Sequence, residues 1–418
     1  MREMKDSGVA WIGEIPKSWN LERLQWHISE IKETNKPEKT KQILSLTNKR
    51  GVIPYEEKGA QGNVSKEDLS QYKLAYPGTI VANSMNVLIG SVGKCNYYGC
   101  VSPVYYVYKP NDGENLEFIN YIFQTEQFQK ELRRYANGIL EIRLRVSSDG
   151  ILKRKVAFPS TDEQQKIVVY LNQKLSQVDS LIANVQAQIE KLKAYKQSLI
   201  TEVVTKGLDP NVPMKDSGVE WIGKIPEDWE VVKTGRLFKE NNRSPIGNDI
   251  PLSLSQMDGL VATDDMKESA LKTSSYDNWK RVEIGDLVLN RFKAHLGVLF
   301  AANLTGIVSF HYGVYEAKRS LVPKFYEYLY HSNQYKAILG NASNGMVVGL
   351  QNLSNLGFYS TYSLYPPYAE QEKLVSHLDK KCSEIDELIA LKQSKIEKLE
   401  QYKKSLIYEY VTGKKEVV

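Results

Sequence analysis

Cysteine is scarce in this chain. Cys95, Cys100 and Cys382 are all that 418 residues contain, and they form neither an even set nor a CxxC pair. Neither a disulfide framework nor a thiolate metal site is expected, and the three read as free thiols. The five histidines are scattered without ligand spacing. Long apolar runs are also missing: Val87 to Gly90 and Gly297 to Ala302 fall well short of the roughly 20 residues that span a bilayer. The opening MREMKDSG has no apolar stretch behind its basic residues, so no secretory signal is read and a cytoplasmic protein is expected. A GxxxxGKS/T loop, a GxGxxG turn after a strand, HExxH and a nucleophile elbow are all absent, which argues against ATP and dinucleotide chemistry. No catalytic residue, metal or cofactor is expected in this chain. The string YPPY, Tyr365 to Tyr368, resembles the Asn/Asp-Pro-Pro-aromatic loop of adenine methyltransferases but lacks its leading Asn or Asp, and reads as a turn into a helix.

Charge of one sign is not abundant either. The net charge of +5, from 55 Lys plus Arg against 50 Asp plus Glu, is mild for a protein of this length. It does not establish nucleic-acid binding; clustering of the basic residues matters more.

What the chain does have is itself, twice. MKDSGVAWIGEIPKSW, Met4 to Trp19, returns as MKDSGVEWIGKIPEDW, Met214 to Trp229, with 12 identities in 16 positions. The stretch of some forty residues from Glu163 matches that from Glu370 at an offset of 207. Between these frames, Pro77 to Tyr108 keeps step with Ile284 to Tyr315, pairing Asn83 with Asn290, Gly90 with Gly297 and Tyr108 with Tyr315. The order is start, body, helix, start, body, helix. A plain duplication that enlarged a monomer is the simplest origin of a repeat. Here the frames stay nearly identical while the bodies diverge, as expected if frames meet identical partners and bodies meet different ligands.

In the first helix Leu171, Leu175, Val178, Ile182, Val185, Ile189 and Leu192 alternate spacings of four and three, a coiled-coil seam. The stretch from Asp162 to Thr205 contains no Pro or Gly, and Gly207 and Pro210 supply its stop. The copy repeats the seam as Leu378, Cys382, Ile385, Ile389, Ile396 and Leu399, with Lys392 where the first has Val185. Neither helix buries its stripe alone, so the two are expected to pack antiparallel, related by a pseudo-twofold axis, with a body at each end.

Both bodies read as mixed α and β. Strand composition marks KLAYPGTIVAN and CVSPVYYVYKP, and Phe118 to Ala136 has helical spacing. In the first body Arg143, Arg145, Lys153, Arg154 and Lys155 belong to a basic cluster that suits either a phosphate-binding strip or a solvated surface. The matching stretch of the second body, Ile338 to Tyr362, contains no charged residue, leaving polar groups such as Asn344 and Gln351. The loop SLTNKRG, Ser45 to Gly51, faces SLSQMDG, Ser253 to Gly259: the frame is kept, while Asn48, Lys49 and Arg50 become Gln256, Met257 and Asp258. Asn and Gln read adenine and Arg and Lys read guanine, so the swap would change the bases read; a variable surface turn is the other reading. Asn83, Ser84 and Asn86, against Asn290, Arg291, Lys293 and His295, carry the same two readings.

These residues resemble the specificity subunit of type I restriction-modification systems. The resemblance is carried by the DSGxxWIGxIPxxW starts, the GDxVxN and GxVSxxYxVY strings and the P-x-x-x-EQ approach to each long helix; Phe310 departs from it where the first body has Pro103. It implies a prokaryotic, α+β protein with two similar α/β target-recognition domains joined by two long antiparallel coiled-coil helices. The boundaries are then a start at 1–19, a first recognition domain at 20–158, a helix at 159–206, a linker and second start at 207–229, a second recognition domain at 230–365 and a helix at 366–413. It implies double-stranded DNA as ligand, each domain reading half of a split site. It also implies two modification subunits that bind S-adenosylmethionine and motor-nuclease subunits that use ATP and magnesium. The chain itself would catalyse nothing. A protein-binding coiled-coil scaffold is the alternative.

Overall fold

The computed structural model describes residues 2–47, 50–59, 68–137, 144–256, 259–266, 276, 278–344 and 351–417, which leaves the candidates Asn48, Lys49, Arg143 and Asp258 outside it. The chain divides into two compact units, Met1–Gln186 with Ser394–Val418, and Ala187–Gln393. The long helices are Thr161–Lys206 and Tyr368–Val411, and each contributes to both units. At 46 and 44 residues they run about 69 and 66 Å. Among the described residues no helix is long and apolar enough to cross a membrane.

The first unit is built on a four-stranded antiparallel sheet in the order Ile28–Ile31, Tyr105–Pro110, Thr79–Asn83, Val92–Cys95. Strand alternation explains its two covered faces. Ile80 and Ala82 join a core with Phe118, Ile119 and Phe123 of the following helix, while Val81 joins Leu44 and Val52 of a hairpin formed by Leu44–Thr47 and Gly51–Pro54. Thr79–Asn83 is therefore buried along its whole length. Helical spacing from Phe118 to Ala136 is interrupted: Leu116–Gln124 and Glu126–Arg133 are separate helices, and Ala136 is in a short strand. The break is at Thr125, which is extended and whose hydroxyl donates to the Ile122 carbonyl at 2.8 Å. A side chain that bonds its own backbone competes with the helix ladder there.

The second unit repeats this arrangement. Its sheet runs Phe238–Glu240, Tyr312–Ala317, Leu287–Asn290, Leu299–Ala301, all antiparallel. Leu287 and Leu289 face the helical core and Val288 faces the hairpin core of Leu252, Leu254 and Leu260. Its helices, Pro323–Tyr330 and Asn333–Asn341, part at Ser332, whose hydroxyl accepts from the Tyr335 amide at 3.4 Å.

Within each unit the two long helices lie antiparallel. In the first, Tyr170 packs on Tyr410 at 4.7 Å and Lys403 pairs with Asp179. In the second, Lys196 pairs with Asp386 at 2.6 Å, the same ion pair made by the repeat-equivalent residues. Leu171, Val178, Val185, Ile189, Leu378, Cys382, Ile385 and Ile396 are buried, and Leu175, Ile182, Leu192, Ile389 and Leu399 half-buried. Lys392, the polar substitute for a seam residue, turns its ammonium to the Gln188 side chain at 2.6 Å. The three cysteines are free and buried.

The repeated motifs lock each start to a helix beginning. Trp19 is fully buried and its indole donates to Glu163 at 3.0 Å; Trp229 does the same to Glu370 at 2.9 Å. Both glutamates sit in the first turn of a long helix, where the helix dipole favours a carboxylate. The adjacent Gln164 and Gln371 are buried. Their amides donate to the carbonyls of Pro159 and Pro366 and accept from the backbone N–H of Asn115 and Val322. In the second unit the start follows the first long helix directly in sequence. In the first unit the start instead receives the end of the second long helix: the Lys414 ammonium donates to the Ile12 carbonyl at 2.7 Å and the Tyr408 hydroxyl to that of Trp11 at 3.2 Å.

Candidate functional site

The body motifs that look most distinctive belong to the frame. In GxVSxxYxVY, a Cβ on Gly99 would lie 2.7 Å from the Gln42 carbonyl, and one on Gly306 would collide with that of Ile250, so the close approach of two strands requires glycine. The closing tyrosines are fully buried: Tyr108 shares a hydrogen bond with Ser148 at 3.2 Å and Tyr315 donates to Asn355 at 2.8 Å. The final Asn of the GDxVxN string is likewise inward. Asn83 is buried and its side-chain oxygen accepts from the Met85 amide at 3.0 Å; Asn290 is buried and accepts from Phe292 and Lys293 at 3.1 and 3.2 Å.

Those asparagines hold turns that carry other candidates. In the first unit Ser84 is buried and Asn86 exposed, and the Ser84 carbonyl accepts from Val146 at 3.1 Å. This contact joins the turn that carries Asn86 to the paired strands Ala136–Asn137 and Arg145–Val146, with Arg145 exposed. In the second unit the Arg291 carbonyl accepts from Leu353 at 3.0 Å, and Asn344 bridges Asn352. That places exposed Lys293, exposed Asn344 and half-buried Gln351 in the corresponding region. The guanidinium of Arg291 turns inward, to Glu240 at 2.6 Å and Asn355 at 2.9 Å. Lys153 pairs with Asp149, Arg154 bonds the Gly150 carbonyl and stacks 3.4 Å from the centre of the Tyr135 ring, and Lys155 is exposed on a strand. Arg50 is exposed and paired with Glu57. Its turn is held by Thr47, whose hydroxyl accepts from the Arg50 amide and donates to the Gly51 carbonyl, and by Gly51 at φ +65°.

A cleft of about 370 Å³ in the second unit takes in one sequence candidate, Gln256, and adds residues without a motif. It is lined by Gln256, Leu296, Gly297, His331 and Lys336 of the body and by Lys193, Lys196 and Asp386 of the long helices. His331 lies under it: burial pushes its imidazole down to about 4, the Lys336 and Lys324 charges add to this, and the ring donates to the Leu299 carbonyl at 2.8 Å. An unfolded histidine titrates near 6.5. Between these values the unfolded chain binds a proton that the folded one does not. Stability should therefore fall as pH drops from about 6.5 towards 4, by about 1.4 kcal/mol per unit well inside that window. Denaturant unfolding from pH 4.5 to 7.5 checks this: His331→Asn should flatten this part of the profile, and an unchanged slope would rule His331 out as its source.

No family model matches the chain. It is similar over nearly its whole length to one curated type I restriction enzyme specificity subunit and over more than half of its length to others. The putative MjaX specificity subunit of Methanocaldococcus jannaschii is 24% identical over 433 residues, covering 96% of this chain and 95% of the relative. The MjaVIII specificity subunit of the same organism is 27% identical over 280 residues, 62% of each. Among solved structures, a chain from a study of complex assembly and conformational transition of the type I R-M system matches with a TM-score of 0.70 at 14% identity, covering 95% of this chain and 98% of its own. The HsdS subunit from Thermoanaerobacter tengcongensis matches with a TM-score of 0.53 at 15% identity, covering 96% and 98%.

Proposed function

We infer that this chain is the DNA-specificity subunit of a type I restriction-modification system, and that it selects sequence without catalysing a reaction. The observation that carries the reading is one frame built twice with different exposed residues. Both bodies share a strand order, a buried tyrosine and a capped turn, yet differ on the surface at Asn86 against Lys293 and Arg145 against Asn352, and in sequence at Arg50 against Asp258. Residues 20–158 and 230–365 are the two target-recognition domains, each reading one half of a split site.

Base and phosphate contacts fall on Asn48, Lys49, Arg50, Asn86, Arg145 and Lys155 in the first domain and on Gln256, Asp258, Lys293, Asn344 and Gln351 in the second; of these Arg50, Asn86, Arg145, Lys155, Gln256, Lys293 and Asn344 are exposed. Asn83, Asn290 and Arg291, whose side chains are taken up by the frame, position these groups. The paired helices set the spacer between half-sites and dock two modification subunits, a role supported by the repeated Lys403–Asp179 and Lys196–Asp386 ion pairs. S-adenosylmethionine, ATP and magnesium belong to modification and motor-nuclease partners.

Binding of the assembled complex to duplex DNA tests the reading. Affinity should fall linearly with salt on logarithmic axes, with a slope of about −0.9 per phosphate contacted. A complex without salt-dependent DNA affinity would favour a protein-binding scaffold instead.

A further inference from the structure

The cleft beside Gln256 holds three lysines, Lys193, Lys196 and Lys336, with Asp386 as a lining carboxylate. Their charges are not equally compensated. Lys193 pairs with Glu190 at 3.1 Å and Lys196 with Asp386 at 2.6 Å. Lys336 is half-buried, with its stem against the Gly297 backbone, and among the described residues no acceptor meets its ammonium. Burial alone lowers its pKa. Covering a cation without a partner costs free energy, so a protein that keeps one there usually uses it. His331 is neutral at pH 7 and supplies no counter-charge.

The first unit is an internal control. The residue equivalent to Lys336 is Gln129, which packs on Gly90 as Lys336 packs on Gly297, and its amide donates to the Phe123 carbonyl at 3.0 Å. The residue equivalent to Lys193 is Glu400, whereas the Lys196–Asp386 pair is retained as Lys403–Asp179. The frame therefore accommodates Gln and Glu at these two positions, and packing does not explain the lysines. The second unit also lacks the charges that the first carries between Arg143 and Lys155.

We propose that Lys336, together with Lys193 and Lys196 on the facing helix, binds a backbone phosphate of duplex DNA in this cleft, next to the loop that carries Gln256. The second domain thereby takes its backbone contact from a place that is not basic in the first. This rests on the DNA-recognition reading above. A duplex is the occupant favoured by the position of the cleft, since its rim bears an exposed glutamine on one of the two loops in which the repeats exchange residues. Phosphate contacts fix register without reading bases, so the site would position the second domain on its half-site.

The test uses the full chain assembled with its modification subunits and a duplex containing its site. Lys336→Gln and Lys193→Glu each install the residue already present in the other repeat. Each should reduce the magnitude of the logarithmic salt slope by about one and weaken binding uniformly across sequences. Lys336→Arg should keep the parent slope. An unchanged melting midpoint of Lys336→Gln verifies that the fold is intact. If the parent complex shows salt-dependent binding and both variants keep its slope, the site is not a DNA-phosphate contact; a cleft that took only free phosphate would give that result. If the parent itself shows no such binding, the recognition reading falls, and this inference with it.

Discussion

Replacing Trp229 with alanine is expected to cost about 3–5 kcal/mol, the range for removing a large aromatic from a packed interior. Trp229 is fully buried, meets Phe325 edge-on at 6.4 Å and ties the second start to the beginning of the second long helix through Glu370. Its ring also lies 3.7 Å from where a Cβ on Gly207 would sit, the left-handed residue that ends the first long helix. Alanine would thus leave a cavity and remove the donor from a carboxyl whose pKa burial already raises. For a unit of this size the melting midpoint should fall by roughly 6–20 °C, and Trp229→Phe by less. Thermal unfolding followed by circular dichroism measures it. A loss below about 1 kcal/mol would contradict a frame organised around the start tryptophans.

The second large effect concerns sequence choice. Replacing Asn48, Lys49 and Arg50 together with alanine should abolish discrimination at one half-site and leave the other intact. A side chain that pairs bidentately with a base is worth about 1–3 kcal/mol of discrimination, so losing two such readers would remove about 2–6 kcal/mol. The turn should survive, because Thr47 and Gly51 hold it and neither is changed. Methylation assays on duplexes mutated in one half at a time provide the readout. Equal loss at both halves would exclude a role for this loop in a single recognition domain.

The doubled layout and the long helices are readable in the sequence because each is written in a short period or a near-identical string. The four-three spacing from Leu171 to Leu192 marks a buried stripe wherever the partner lies. The motif glycines and tyrosines are visible too, but their physical role is not. Gly99 looks like any turn glycine until the Gln42 carbonyl is seen against it, and Asn83 has the composition of a base reader until its side chain is found capping a turn. The breaks at Thr125 and Ser332 depend on side-chain bonds to the backbone that helical spacing does not report. Docking of the first start on Tyr408 and Lys414 joins residues some 400 positions apart, and no local signal announces it. Lys336 is hidden for a similar reason: its isolation emerges only when its neighbours in space, and Gln129 in the other repeat, are compared.

Mapping methylated adenines by single-molecule sequencing, with the chain co-expressed with a modification subunit, tests the central claim most directly. Two short specified halves around a fixed unspecified gap are expected, together supplying both half-sites. A complex that forms and yields a single continuous motif, or none, would contradict two recognition domains held at a set spacing.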